Sequence, residues 1–274
     1  MVNTNNAQEW LNRTISVEQQ RRIEELYIWS EDDPLADRNY PNAFFIPKYR
    51  PLVGNLDLRN FSSLKRLVIT GQGIENLSLT NSYHLKELNI SDNLLRHVVW
   101  PQVARGNNLT TVESINLANN NFYPQDLLQF SQFPNLHTLL IGTNNIARIS
   151  RGIYNRFYGS LELLKDLEHL VHFNINATDV SVGLEHLPTG RLETFVFGSL
   201  GRSNAGVINL QNTLTRDLAL EFEENETPDS WATVGTFPTP TSSDESDEKI
   251  HLIACWQLEQ ERLQARIEIL RWHN

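Results

Sequence analysis

Apolar residues recur along the middle of the chain in a fixed order. Two apolar positions three apart are followed by a third two further on, and an asparagine comes three after that. Leu85, Leu88, Ile90 and Asn93 fill every slot; so do Val112, Ile115, Leu117 and Asn120, and Leu136, Leu139, Ile141 and Asn144. Each run continues with an apolar residue two positions on, at Leu95, Phe122 and Ile146. Weaker copies flank these. Leu64, Leu67 and Ile69 lead to Gln72 and Ile74, Leu170, Phe173 and Ile175 lead to Thr178 and Val180, and Leu192, Phe195 and Phe197 lead to Leu200. Upstream, Ile23, Leu26 and Ile28 keep the pattern with Glu31 in the asparagine slot. Successive starts at 64, 85, 112, 136, 170 and 192 lie 21, 27, 24, 34 and 22 residues apart, and the longest step predicts an insertion between Ser150 and Lys165.

The second and third apolar positions alternate with the period of a strand, so both side chains face one side. The asparagine follows at the turn, where a carboxamide can satisfy backbone groups that the turn exposes. A single unit cannot bury its apolar edge; stacked neighbours share one core. A period of roughly 20–29 residues with this pattern is the mark of a leucine-rich repeat. The predicted fold is an α/β solenoid: a curved parallel sheet with an irregular or short helical outer face, an N-terminal helical cap and a C-terminal helix.

The flanks divide the chain further. Ser16 and Gln19 have capping-box spacing, and Asn6 precedes a short stretch with Trp10 and Leu11, so residues 1–22 read as a helical cap. The repeat region spans 23–220. Within it Glu31–Pro51, with four prolines and an acidic cluster, reads as an irregular loop. Residues 221–248 contain no Lys or Arg and are rich in Asp, Glu, Pro, Ser and Thr, which predicts an acidic disordered linker. Residues 249–274 predict an amphipathic or coiled-coil helix, with Ile253, Trp256, Leu263, Ile267 and Leu270 on a heptad seam broken by Gln260. That seam fits a homodimer or a partner helix, and equally a helix folded back over the last repeat.

Charge narrows the partners. The 274-residue chain carries a formal net charge of -10, against nucleic acid and anionic membrane as ligands. No window is long and apolar enough to cross a membrane, and the first residues lack signal-peptide character. The lone Cys255 excludes an internal disulfide framework. Asn-x-Ser/Thr triplets at Asn60, Asn89 and Asn108 then read as by-products of an Asn- and Ser-rich chain. The expected location is the cytoplasm or nucleus, not outside the cell.

Candidate chemistry is sparse. His169 and His172 lie three apart but fall on different parts of a repeat, and no carboxylates complete a metal site. Cys255 has no nearby base. Gly71 and Gly73 belong to a repeat turn rather than a phosphate loop. The run from Ser242 to Glu248 is either a phosphate acceptor or a solvating linker. No catalytic residue, metal or cofactor is expected. The variable positions of the strands, facing away from the core, remain: Arg66, Val68 and Thr70; Glu87, Asn89 and Ser91; Ser114, Asn116 and Ala118; Thr138, Leu140 and Gly142; His172, Asn174 and Asn176. They form a mixed polar surface of the kind that binds proteins. The expected function is a non-enzymatic protein-interaction module working through this concave face. The alternative is a regulatory or targeting adaptor that recruits substrates to an enzyme such as a kinase or ubiquitin ligase.

The stretch Leu56, Leu58, Phe61 and Leu64 ahead of the repeats resembles an expanded family of intracellular leucine-rich-repeat proteins of mycorrhizal fungi. The opening from Asn6 to Leu11 and the segment Leu184, Leu187, Pro188 are similar to it as well. The resemblance spans roughly Asn6 to Phe197. It implies a repeat solenoid, and family members often carry a coiled coil or a kinase-like domain beyond the repeats; no kinase signature is present here.

Overall fold

The computed structural model describes residues 5–33, 40–102, 109–188 and 191–213. The acidic stretch 221–248 and the segment 249–274, with Cys255 and the heptad seam, lie outside them. The described residues hold thirteen strands, numbered along the chain, in an inner and an outer set. The inner set is β1 (Glu25–Ser30), β2 (Ala43–Ile46), β4 (Arg66–Ile69), β6 (Glu87–Asn89), β8 (Ser114–Asn116), β9 (Thr138–Leu140), β11 (His172–Asn174) and β13 (Thr194–Val196). They form one sheet in the order β13-β11-β9-β8-β6-β4-β1-β2. Every pairing is parallel, and Arg66, Glu87, Ser114, Thr138, His172 and Thr194 follow one another in register. This is a leucine-rich-repeat solenoid.

Burial explains the register. Leu67, Leu88, Ile115, Leu139, Phe173 and Phe195 are all 0 % exposed and share one core with the third apolar residue of each repeat. A one-residue slip would send that whole set to solvent.

The outer set comprises β3 (Val53–Asp57), β5 (Gly73–Ser78) and β7 (His97–Val99), which form a parallel three-stranded sheet, and the pair β10 (Tyr158–Ser160) and β12 (Asp179–Val182). The back of the solenoid therefore carries ordered parallel ladders, beyond the irregular or short helical cover that the pattern predicts. Each repeat then returns through tight turns in which every third residue points inward. Leu58, Phe61 and Leu64 are linked by N–H to carbonyl bonds three residues back, as are Leu164, Leu167 and Leu170.

The polar residues of the turns hold the stack together. Asn93 is 0 % exposed. Its Nδ2 donates to the carbonyls of Ile69 in the preceding repeat and of Ile90 and Ser91 in its own turn, while its Oδ1 accepts from Ile74 N–H. Asn120 repeats the arrangement with the carbonyls of Ile90, Leu117 and Ala118 and the N–H of Leu95. The residue just before the slot is left-handed in four of the repeats, at Gly71, Asp92, Asn119 and Ala177, with φ of 66°, 56°, 55° and 55°. Glycine, asparagine and aspartate reach that conformation more readily than other residues.

Two expectations change here. Asn144 and Ile146 match the template, yet both are exposed, Ile146 by 63 %. The slot is filled by Asn155, whose Nδ2 donates to the carbonyls of Leu117 and Ile141 and whose Oδ1 accepts from Phe122 N–H. Phe157, 0 % exposed, takes the apolar position two further on. The insertion thus occupies residues 144–154, between the strand and its own asparagine, rather than 150–165. It includes a short helix, α3 (Ile146–Ile149). The second change is β2, inside the proline-rich stretch expected to be irregular. Pro41 and Pro47 bracket the run Ala-Phe-Phe-Ile instead of interrupting it, which is where strands tolerate proline.

Both ends of the core are covered. Helices α1 (Ala7–Thr14) and α2 (Val17–Arg22) precede β1; Ala7 and Leu11 enter the core and Trp10 packs edge-on against Phe44. Ser16 and Gln19 close a reciprocal capping box. After β13, Val207 and Leu210 are buried. The Arg202 guanidinium donates to the Ala177 carbonyl at 2.6 Å, pairs with Asp179 at 2.6 Å and lies 4.0 Å from the Tyr154 ring centroid.

Asn155→Ala would strand the Ile141 carbonyl and the Phe122 N–H and take one of two donors from the Leu117 carbonyl, and should cost about 2–4 kcal/mol in chemical denaturation. Asn144→Ala should cost less than about 1 kcal/mol. The reverse ranking would return Asn144 to the slot.

Candidate functional site

Residues that alternate with the buried ones form three rows across the inner face of the solenoid. The first row runs Glu25, Arg66, Glu87, Ser114, Thr138, His172 and Thr194. The second runs Tyr27, Val68, Asn89, Asn116, Leu140, Asn174 and Val196. The third begins at Trp29 and continues just past the strand ends with Thr70, Ser91, Ala118, Gly142, Asn176 and Gly198. Of the fifteen residues picked from the sequence, the structure brings those of the first two rows together at the surface, except Val68, which is 7 % exposed. Thr70, Ser91, Ala118, Gly142 and Asn176 are all buried and offer a partner almost no surface.

The third row is buried because the turns close over it. A Cβ on Gly142 would collide with the Asn174 carboxamide and the backbone of Asn176, so glycine here is a requirement of packing. Thr70 donates its hydroxyl to Asp33 at 2.5 Å. The insertion bends back along this rim. Asn119 Oδ1 accepts the N–H groups of Asn144 and Asn145, and Asn144 Oδ1 accepts the carboxamide N–H of Asn174 and Asn176. Further back, the Arg148 guanidinium donates to the Asn93 carbonyl. Burial holds the Arg148 pKa below its ordinary value. It raises that of Asp92, with the Asn119 hydrogen bond opposing the shift.

In the second row, each asparagine is fixed by its own backbone. Asn89 Oδ1 accepts Ser91 N–H, Asn116 Oδ1 accepts Ala118 N–H, and Asn174 Oδ1 accepts Asn176 N–H. These local bonds compete with the ladder and fit the three-residue strands. Asn174 spends its Nδ2 on Asn144, whereas the Nδ2 groups of Asn89 and Asn116 have no partner among the described residues.

The N-terminal end of the face has a different character. Tyr27, Trp29 and Val68 form an apolar cluster on the opposite side of the sheet from the main core, with Ala43 and Phe45 against it. Tyr40, 40 % exposed, lies against Tyr27 with ring centroids 4.5 Å apart. Arg66 donates to the Tyr27 hydroxyl at 3.3 Å and pairs with Glu87 at 2.7 Å; Tyr27 in turn donates to Glu25. Burial raises the Tyr27 pKa. Reading the sequence missed Glu25, Tyr27 and Trp29 as members of the face, although Leu26 and Ile28 mark their strand by the same rule. It also missed Thr194 and Val196, which the sixth repeat supplies in register.

His169 and His172 do not converge. His172 Nδ1 lies 3.0 Å from the Thr194 hydroxyl, and His169 stacks on His137 with centroids 5.8 Å apart. Among the described residues, no three His, Cys, Asp or Glu side chains gather as metal ligands, and no helix is long and apolar enough to cross a membrane.

No known protein-family description matches the chain, and no curated protein matches it in sequence. Among solved structures the chain is similar to the LRIM1 leucine-rich repeat domain, at 12% identity over 84% of this chain and 86% of that one, with a TM-score of 0.34. At that identity and TM-score the likeness transfers no residue role.

Gly142→Ala should lower stability by about 1–3 kcal/mol in urea or thermal melts, because the added methyl meets the Asn176 backbone, which cannot swing aside, as well as the Asn174 carboxamide. Asp92 supplies a pH test. Its folded pKa lies above the ordinary 3.8, so the native state keeps the proton longer than the unfolded chain. Its contribution is most favourable below that value and is lost as pH rises through the raised pKa. Asp92→Asn keeps an acceptor for Asn119 and tolerates the left-handed backbone. The thermal midpoint of the wild type should therefore fall relative to Asp92→Asn as pH is raised across that window; parallel curves would remove Asp92 from the account.

Proposed function

We propose that the chain is a protein-interaction module whose partner docks on the inner face of the solenoid, across the first two rows of side chains. One observation carries this reading. Ser114, Thr138, Asn89 and Asn116 lie in register on a rigid sheet, half-buried, with hydroxyl or carboxamide N–H groups that find no partner among the described residues. Such groups do nothing for the fold, but a second molecule can satisfy them. Arg66, Glu87, Leu140, His172 and Asn174 extend the same surface, and the aromatic end around Tyr40 adds an apolar anchor of the type enriched in interfaces.

The test is affinity capture with two variants. Ser114→Arg/Thr138→Glu alters adjacent, otherwise unoccupied positions of the inner face. Val99→Arg/Val182→Arg alters exposed positions on the outer strands. The inner pair should lose a partner that wild type and the outer pair both keep. Loss in the outer pair alone, or retention by both, would move the site elsewhere. The nature of the partner also separates a scaffold from an adaptor that brings substrates to an enzyme.

A further inference from the structure

The middle row of the inner face is uncharged from Tyr27 to Val196. Its two unpartnered donors, Asn89 Nδ2 and Asn116 Nδ2, sit on directly paired residues of neighbouring strands. Each carboxamide is held in one orientation because its oxygen is bound to a backbone N–H two residues on. The donors are thus presented side by side, about 4.8 Å apart, without the entropy cost of a free side chain. Apolar surface brackets them in the same row. Val68 and the aromatic cluster lie on one side and the half-buried Leu140 on the other. From Val68 to Leu140 is three strand spacings, or about 14 Å.

We propose, resting on the inner-face reading above, that the docking element of the partner is an extended, uncharged peptide segment laid across strands β4 to β9. Its backbone carbonyls accept from Asn89 and Asn116, and two apolar side chains four residues apart cover the aromatic cluster and Leu140. An extended chain rises about 3.3 Å per residue, so residues four apart span about 13 Å and point to the same side. Charge argues for neutrality. A Lys or Asp over the middle row would lose hydration with no counter-charge there, and the charged residues nearby, Arg66 and Glu87, already pair with each other. A helix suits the row less well, because its carbonyls are engaged internally and cannot accept from two fixed amides.

Asparagine to aspartate separates the roles of the two carboxamides. Asn89→Asp/Asn116→Asp keeps an oxygen for the N–H groups of Ser91 and Ala118 but turns each outward donor into a negatively charged acceptor, which repels a peptide carbonyl. The probe is a display library of random peptides about twelve residues long, selected on the full chain. Enriched peptides should be uncharged with apolar residues four apart, and should bind the double variant at least about tenfold more weakly at an unchanged unfolding midpoint. The single variants, expected to show intermediate losses, serve if the double variant unfolds. Enrichment of strongly charged or helix-patterned peptides, or no enrichment, would overturn the proposal. Peptides lost on Ser114→Arg/Thr138→Glu but kept by both aspartate variants would refute the carboxamide contact and leave the inner-face reading standing. Indifference to all of these variants would refute both.

Discussion

Everything in this solenoid depends on satisfying the backbone where each inner strand turns into the interior. Carbonyls there are buried and point across the turn, away from the parallel ladder. A carboxamide is the one short side chain that donates two hydrogen bonds and accepts at the same point, so it can serve carbonyls of two successive repeats and the N–H two residues past the preceding repeat's slot together. Asn93, Asn120 and Asn155 do this while completely buried. Where the asparagine is absent, substitutes share the work. Gln72 reaches Leu52 N–H and the Thr70 carbonyl. Thr178 satisfies only Ile175, and the neighbouring Ala177 carbonyl is met by the buried guanidinium of Arg202. The last repeat thus replaces an amide with a charge, and Asp179 and the Tyr154 ring compensate that charge.

The same residue type does the opposite work on the inner face. Asn89, Asn116 and Asn174, each the last residue of a three-residue strand, bond to their own backbone two residues on, which turns the amide nitrogen outward. The insertion then takes up one of these nitrogens, through Asn144, and leaves two. A polar face of fixed geometry results, because the backbone leaving each of these short strands orients the side chain at its end.

Charge is unevenly distributed along the chain. After residue 213 there are thirteen Asp and Glu against five Lys and Arg, so eight of the ten net negative charges lie beyond the described repeats. The repeat region itself is close to neutral. Its inner-face ions, Arg66 and Glu87 beside Glu25, are part-exposed pairs that add little stability. They collect at the aromatic end and leave the middle of the face without charge.

The amino-acid sequence by itself determined the repeat, its core and the alternation that assigns side chains to the inner face, because strand period and repeat length are local properties that burial on one side imposes. The buried sets headed by Leu64, Leu85, Val112, Leu136, Leu170 and Leu192 are legible for that reason. Only the tertiary structure decided which asparagine enters the stack. Local spacing favours Asn144, yet the slot goes to Asn155, which meets the carbonyls of Leu117 and Ile141 once the insertion has looped out. Likewise, a strand hidden between Pro41 and Pro47 is recognisable only when β1 offers it an edge. Thr70, Ser91, Ala118, Gly142 and Asn176 obey the alternation yet end up buried, because neighbouring turns and the returning insertion close over them. Such coverage comes from contacts between residues distant in the chain, and a periodic pattern does not encode it.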